Sequence, residues 1–122
     1  MKLDYFKYAQ KEAFLSGHNF KHGAVLVKGG TIIKKSFNDP RPVKFAHKLH
    51  HAKRGSLHAE IGVLLNLTKD KTKNADIYVC RVLKDGTYKN SRPCLMCCVV
   101  AQEMGIKRIY FTTDFGFDKI IF

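Results

Sequence analysis

The chain contains no apolar run approaching the roughly 20 residues needed to span a membrane. Its start, Met1-Lys2-Leu3-Asp4-Tyr5, lacks the apolar stretch and small-residue cleavage site of a secretory signal. An intracellular, cytoplasmic protein with no membrane attachment is therefore expected. Internal repeats and low-complexity segments are also missing. Acidic residues are scarce: 10 Asp plus Glu stand against 22 Lys plus Arg, a formal net charge of +12. Such an excess favours phosphorylated or polyanionic partners, with solubility as the plainer reading. Cysteines number four, Cys80, Cys94, Cys97 and Cys98, and three of them fall within five residues. In a reducing compartment that clustering suits metal ligation better than two disulfides.

What is present describes one domain covering residues 1–122. With 45% hydrophobic and 26% charged residues, the composition is that of a globular chain and excludes disordered, collagen-like and coiled-coil classes. Leu3, Phe6, Tyr8, Ala9, Ala13 and Phe14 recur at helical spacing, which predicts an amphipathic helix over residues 2–16 ended by Gly17. Gly23–Lys28 and Thr31–Phe37 flank Gly29-Gly30 and read as a β-hairpin, because two glycines supply the positive φ of a tight turn. From Asn38 to Leu57 the pattern stops. This basic connection holds Arg41, Lys44, Lys48, Lys53 and Arg54 with His47, His50 and His51, and no acidic residue lies between Pro40 and Leu57. A connection of that length inside a small domain is usually functional.

Periodicity returns with Ala59, Ile61, Val63, Leu64, Leu65 and Leu67, which predict a buried helix followed by a solvated connection over Lys69–Asn74. Asp76–Leu83 has the composition of a central strand, closed by a turn at Lys84–Thr87. Pro93 opens a further helix that Gly105 ends; Ile106–Thr112 is another strand, and a last short one ends at Phe122. The element order predicts an α/β fold, a three-layer α-β-α sandwich around a mixed sheet of about five strands.

The chemistry sits at the starts of two expected helices, His58-Ala59-Glu60 and Pro93-Cys94-Leu95-Met96-Cys97. One imidazole and two thiolates form the ligand set expected for zinc with a fourth tetrahedral position open to water. Cys94 and Cys97, three apart in a first helical turn, can point the same way, and a helix N-terminus favours the thiolate. Glu60, two residues from His58, reaches the same region as a proton shuttle and not as a ligand. Cys98 diverges from Cys97 by about 100° around a helix, so packing as a small hydrophobe fits it better than a fourth ligand role; Cys80 packs likewise on its strand.

On these residues the sequence resembles the cytidine deaminase superfamily, most of all its deoxycytidylate deaminase-like branch of phages and large viruses. The segments Gly23–Val27, Phe37-Asn38, His58–Ile61, Tyr78–Val82, Pro93–Cys97 and Gly105–Tyr110 fall in that family's order. The resemblance implies His58, Cys94 and Cys97 on Zn2+, Glu60 as shuttle, and Asn38 near the substrate sugar or base. By its own chemistry, Asn38-Asp39-Pro40 is also a turn. Phe37 divides between core and pocket wall. Ser91 can offer its carbonyl or hydroxyl to an exocyclic amine, or cap the next helix. Ala59 and Arg92 complete the expected substrate contacts. Two departures are expected to bear on substrate: no C-terminal helix after the Tyr110 strand, and Asn90-Ser91-Arg92 where several relatives have a Leu-Glu lead-in.

The expected reaction is zinc-dependent hydrolytic deamination of cytosine to uracil in a nucleoside or nucleotide such as dCMP. The base preference comes from the resemblance, since the motif serves adenine equally. Single-stranded DNA or RNA is the alternative substrate, although the basic connection offers only Phe45 for base stacking. A catalytically silent nucleic-acid-binding module of the same fold is a further alternative, which the presence of Glu60 disfavours. Relatives commonly form homo-oligomers, and the same is expected here.

Overall fold

The computed structural model describes residues 2–17, 19–42 and 56–122. Eight strands and four helices alternate along it: α1 (Leu3–Ala13), β1 (Lys21–Lys28), β2 (Thr31–Phe37), β3 (Asp39–Pro42), β4 (Ser56–Leu57), α2 (Ala59–Gly62), α3 (Lys69–Thr72), β5 (Asp76–Val82), β6 (Tyr88–Lys89), α4 (Leu95–Glu103), β7 (Arg108–Thr112) and β8 (Phe117–Ile121). The main sheet has the order β2-β1-β5-β7-β8, with β6 pairing on the far end of β5. Only β5 and β7 run parallel, with Tyr78 opposite Tyr110; every other pairing is antiparallel. Parallel neighbours require a crossover, and α4 supplies it.

Side-chain alternation divides the core in two. On one face Ala24, Leu26, Ile77, Val79, Ile109 and Phe111 pack with residues of α2 and α4, among them Ala59, Cys97, Val100 and Ala101. On the other, Val25, Val27, Tyr78, Cys80, Val82 and Tyr110 pack against Phe6, Ala9 and Ala13 of α1. This is the three-layer α/β sandwich that the element order predicts, with six strands in the main sheet where about five are expected. Residues 6, 9 and 13 recur on one helical stripe, and full burial of Phe6 alone stabilises by about 2–3 kcal/mol.

Several boundaries depart from the sequence reading. α1 stops at Ala13, one turn before Gly17. The hairpin turn is as expected, with Gly29 and Gly30 at φ of 59° and 77°, but β1 begins two residues earlier, at Lys21. The buried helix expected from Ala59 to Leu67 has a single regular turn, because the chain reverses at Asn66, whose φ is 59°. A short helix, α3, occupies the expected connection at Lys69–Thr72, anchored where the Thr72 hydroxyl donates to the Met104 carbonyl at 2.6 Å. In the patternless segment, Asp39 pairs with Leu57 and Pro42 with Ser56. Residues 43–55, which carry most of the basic connection, lie outside the described residues.

Gly23 fixes the contact between α1 and the sheet. A Cβ there would lie 2.0 Å from the Ala9 carbonyl oxygen and 2.4 Å from the Ala13 nitrogen, so helix backbone rests directly on β1. Gly23→Ala is expected to lower stability by about 3 kcal/mol, since rigid backbone atoms must move. Gly17→Ala, where nothing lies within 4 Å of the added carbon, is expected to be near neutral. Urea unfolding of the two variants beside the parent checks this difference.

Candidate metal centre and active site

His58 and Cys94 occupy the same place in two helices. Each is an N-cap with extended backbone, His58 at φ −85° and ψ 146° before α2, Cys94 at φ −70° and ψ 164° before α4. An N-cap side chain ordinarily folds back onto the first-turn N–H groups; neither makes a regular side-chain cap here, although the Cys97 N–H still favours the Cys94 thiolate. Both are turned toward each other instead. Cys97 stands at the third helical position of α4, where side chains naturally face the N-cap residue, and this accounts for the Cys-x-x-Cys spacing.

The three ligand atoms converge. Cys94 Sγ lies 3.5 Å from Cys97 Sγ, and His58 Nδ1 lies 3.7 Å from Cys94 Sγ and 3.5 Å from Cys97 Sγ. Around tetrahedral zinc, with bonds of about 2.3 Å to sulfur and about 2.0 Å to nitrogen, two sulfurs sit about 3.8 Å apart and sulfur and nitrogen about 3.5 Å apart. The cluster therefore matches the triangular face of a zinc tetrahedron, and its donor set suits that ion. No other described His, Cys, Asp or Glu joins the group. Cys97 is buried and Cys94 exposed, so the open side is on the Cys94 flank.

Electrostatics divides the two thiols. The hydrogen bond shared with Cys97 and the proximity of His58 hold the Cys94 thiol down at about 4, against the cost of partial burial. Cys97 moves up, because its partner takes the charge and because it is buried beside Glu60. Glu60 is 6% exposed. Burial raises its carboxyl above the ordinary range, opposed by its own backbone N–H and by His58. Its carboxyl faces the Cys97 sulfur, which places a proton-accepting group directly beside the metal face. Cys98 stays outside the cluster, half-buried, with its thiol raised by burial. Cys80 is fully buried on the α1 side, and burial pushes it up to about 12.

The ladder pairs Asp39 with Leu57, the chain neighbours of Asn38 and His58. The Asn38 side chain is engaged on the α1–β1 side. Asn38 Oδ1 accepts from the Ser16 hydroxyl at 2.6 Å and from His22 N–H at 2.9 Å, while Nδ2 donates to the Phe20 carbonyl at 2.7 Å. Asn38 thus ties the α1–β1 loop to the end of β2, a use that turn chemistry does not predict. Phe37 is opposite Gly23 and so falls on the α1 face of the sheet. That register removes it from the pocket wall and corrects the expectation that it lines the substrate site.

Ser91 does not cap α4. Its hydroxyl oxygen accepts Thr112 N–H at 2.9 Å and lies 2.9 Å from Thr112 Oγ1 and 3.1 Å from the Val79 carbonyl. The hydroxyl is engaged by the strand ends, which leaves the backbone carbonyl for any ligand. Thr112 is the residue sequence reasoning missed: fully buried, it also donates to the Lys89 carbonyl at 2.7 Å and accepts Arg81 N–H at 3.2 Å. Nothing in its sequence context marks it. Arg92 is exposed, with its guanidinium 5.6 Å from the Phe111 ring centroid. Ala59 is wholly buried at the first position of α2.

Comparison with known proteins fits this geometry. The family model for the cytidine and deoxycytidylate deaminase zinc-binding region matches residues 2–113. The chain therefore belongs to that family and is a hydrolytic deaminase. No curated protein matches it by sequence. Among solved structures it is similar to the dCMP deaminase of cyanophage S-TIM5 in apo form, with TM-score 0.65 and 22% identity over 93% of this chain and 86% of the other. The complex of that enzyme with dCMP and dUMP gives 0.57 at 18% identity, covering 93% and 84%. A structure from work on A-to-I editing by tRNA:A34 deaminases gives 0.54 at 26% identity, covering 90% of this chain and 75% of the other. At these identities the phage enzymes speak for the fold. No helix among the described residues is long and apolar enough to cross a membrane.

The ligand assignment makes a direct prediction. Purified protein is expected to carry one zinc ion per chain by elemental analysis, unchanged in Cys98→Ala and lost in Cys94→Ala or His58→Ala. Chelation is expected to lower the melting temperature, because metal bound only by the folded state stabilises it.

Proposed function

We propose that this site deaminates cytosine to uracil in a cytidine or deoxycytidine nucleoside or nucleotide, with dCMP as the representative substrate. The observation that carries the reading is the buried Glu60 carboxyl beside a face of only three ligands, since a purely structural zinc site closes with four and needs no such acid. Zinc, when bound by His58, Cys94 and Cys97, supplies Lewis acidity toward water at neutral pH. Two thiolates offset the charge of a divalent ion, so a neighbouring base is still required. Glu60 takes the proton from water and delivers it to the exocyclic nitrogen. A C4–O bond forms, the C4–N bond breaks, and ammonia leaves. Its raised pKa favours this exchange, because a buried carboxyl accepts a proton more readily than a solvated one.

In this reading the base rests against Ala59, the Ser91 carbonyl receives the exocyclic amine, and Arg92 stands at the mouth for an anionic group. Asn38 contributes through its backbone and through the loop that its side chain holds. The likeness to a phage dCMP deaminase seen with dCMP and dUMP supports a nucleotide substrate. The charge of +12 and the likeness to a tRNA:A34 deaminase support the second reading, a base within a single strand. Self-association draws support from α4, where Leu95 and Val99, one turn apart, are both exposed.

The test is ammonia release and uracil formation by the zinc-loaded protein on cytidine, deoxycytidine, their monophosphates and a short cytosine-containing strand, with adenine counterparts. Monophosphates are expected to turn over. Glu60→Gln is expected to lower kcat by about 10²- to 10⁴-fold while keeping its zinc; undiminished turnover in that variant would sink the mechanism. If the strand alone reacts, its binding should weaken steeply with salt, and the second reading replaces the first.

A further inference from the structure

Tyr78 and Tyr110 stand opposite each other in the parallel ladder, on the α1 face, near the end of the sheet away from the metal cluster. Their rings stack with centroids 4.7 Å apart at 26°, and they are only 3% and 4% exposed. Both border a cavity of about 280 Å³ whose wall also includes Lys2, Tyr5, Asp76 and Arg108.

The hydrogen bonding of this cavity is lopsided. Tyr5 donates its phenol hydrogen to the Gly30 carbonyl at 2.9 Å. The Tyr78 oxygen accepts Lys2 N–H at 3.1 Å, but among the described residues its own hydrogen has no acceptor, and the Tyr110 hydroxyl makes no hydrogen bond at all. Asp76, the one carboxylate in the wall, is already held by Arg108 through Nε at 3.0 Å and Nη2 at 3.1 Å. Two phenol groups therefore face a space whose one carboxylate is already paired. Lys2 and the Asp76-paired Arg108 lie at the same place, and so does the start of α1, an eleven-residue helix with Asp4 in its first turn and no side-chain cap, whose first-turn N–H groups carry the positive end of its dipole.

We infer that this cavity binds the phosphate group of a small ligand, with the Tyr78 and Tyr110 hydroxyls donating to its oxygens, Lys2 offsetting its charge and the Asp76-paired Arg108 bordering it. The site shares no residue with the metal cluster and does not depend on the deaminase reading. Phosphate fits better than a neutral acceptor because the wall offers several donors converging from β5, β7 and α1, and a tetrahedral oxyanion can accept from all of them at once. Inorganic phosphate and a nucleoside monophosphate carry the same group, and the experiment separates them.

Zinc-loaded, 15N-labelled protein is titrated with inorganic phosphate, and separately with adenosine monophosphate, at ionic strength held constant with chloride. Saturable shifts are expected at the Lys2, Tyr5 and Gly30 amides. Equal affinity for both ligands identifies free phosphate as sufficient, and tighter binding of the monophosphate at the same amides identifies a nucleotide. Tyr110→Phe keeps the ring and removes one donor; it is expected to weaken binding by about tenfold or more while melting no lower than the parent in phosphate-free buffer. Shifts confined to amides around His58 and Cys94, or undiminished binding by Tyr110→Phe, would overturn the inference. So would a lower melting point for Tyr110→Phe without phosphate, which would mean that water already satisfies the hydroxyl.

Discussion

The parallel pairing of β5 with β7 is the constraint on which the site depends. Two parallel neighbours cannot be joined by a hairpin, so the chain must return along one face of the sheet. That return is α4, and its start must lie at the end of the sheet where β5 finishes. Cys94 is the N-cap of that helix and stands there because the crossover begins there. The same rule places ligand sites of α/β sheets beyond the carboxyl ends of parallel strands. The Ser91 and Thr112 hydroxyls then lock the lead-in to both strands, joining it to the Val79 carbonyl and to Thr112 N–H. Without that pin the approach to Cys94 would be an unsupported loop, and ligand geometry depends on the groups that orient the ligands.

His58 arrives from the other direction. A two-residue strand, β4, pairs with β3 and delivers the chain to α2 with His58 as its N-cap. Two N-caps thus meet, their side chains turned toward each other. Helix α2 has one turn and little intrinsic stability, so its position rests on burial of Ala59, Ile61 and Gly62 against the sheet. Glu60 is carried inward on the same turn. An uncompensated buried carboxylate is expensive; the Glu60 backbone N–H and the nearby His58 offset part of that cost, and a divalent ion there would offset more.

Much of this was legible in the sequence, and for identifiable reasons. Gly29-Gly30 declares the hairpin because few other residues adopt positive φ twice in succession. β5 and β7 declare themselves by the β-branched and aromatic residues of Ile77–Val79 and Ile109–Thr112, which suit positions buried on both faces. His58, Cys94 and Cys97 are recognisable because their spacing is set by chemistry and by the helix start. What escaped was set by tertiary contact. The apolar run after Ala59 satisfies a helix pattern, yet Asn66 turns the chain so that Leu64 can join the core. Phe37 ends and Asn38 follows a strand whose register, visible only once Gly23 is paired, turns the ring toward α1, while the amide reaches the α1–β1 loop. Gly23 itself looks like the start of a strand and is in fact the seat of a helix.

The two ends of the sheet differ in how their charge is arranged. Around the finish of β5 the described residues include Lys21, Arg81, Lys84, Lys89 and Arg92 against Asp85 and Asp114, and Asp114 is occupied in accepting Asn90 N–H. An excess of that kind acts over a screening length of about 8 Å at physiological salt, so the metal end carries a net positive field. At the other end Asp76 cancels much of Arg108, so the long-range pull is weak and discrimination rests on phenol hydroxyls at contact distance. Net charge is therefore concentrated at the metal end. Fixed hydrogen-bond donors are concentrated where a ligand would only need to fit.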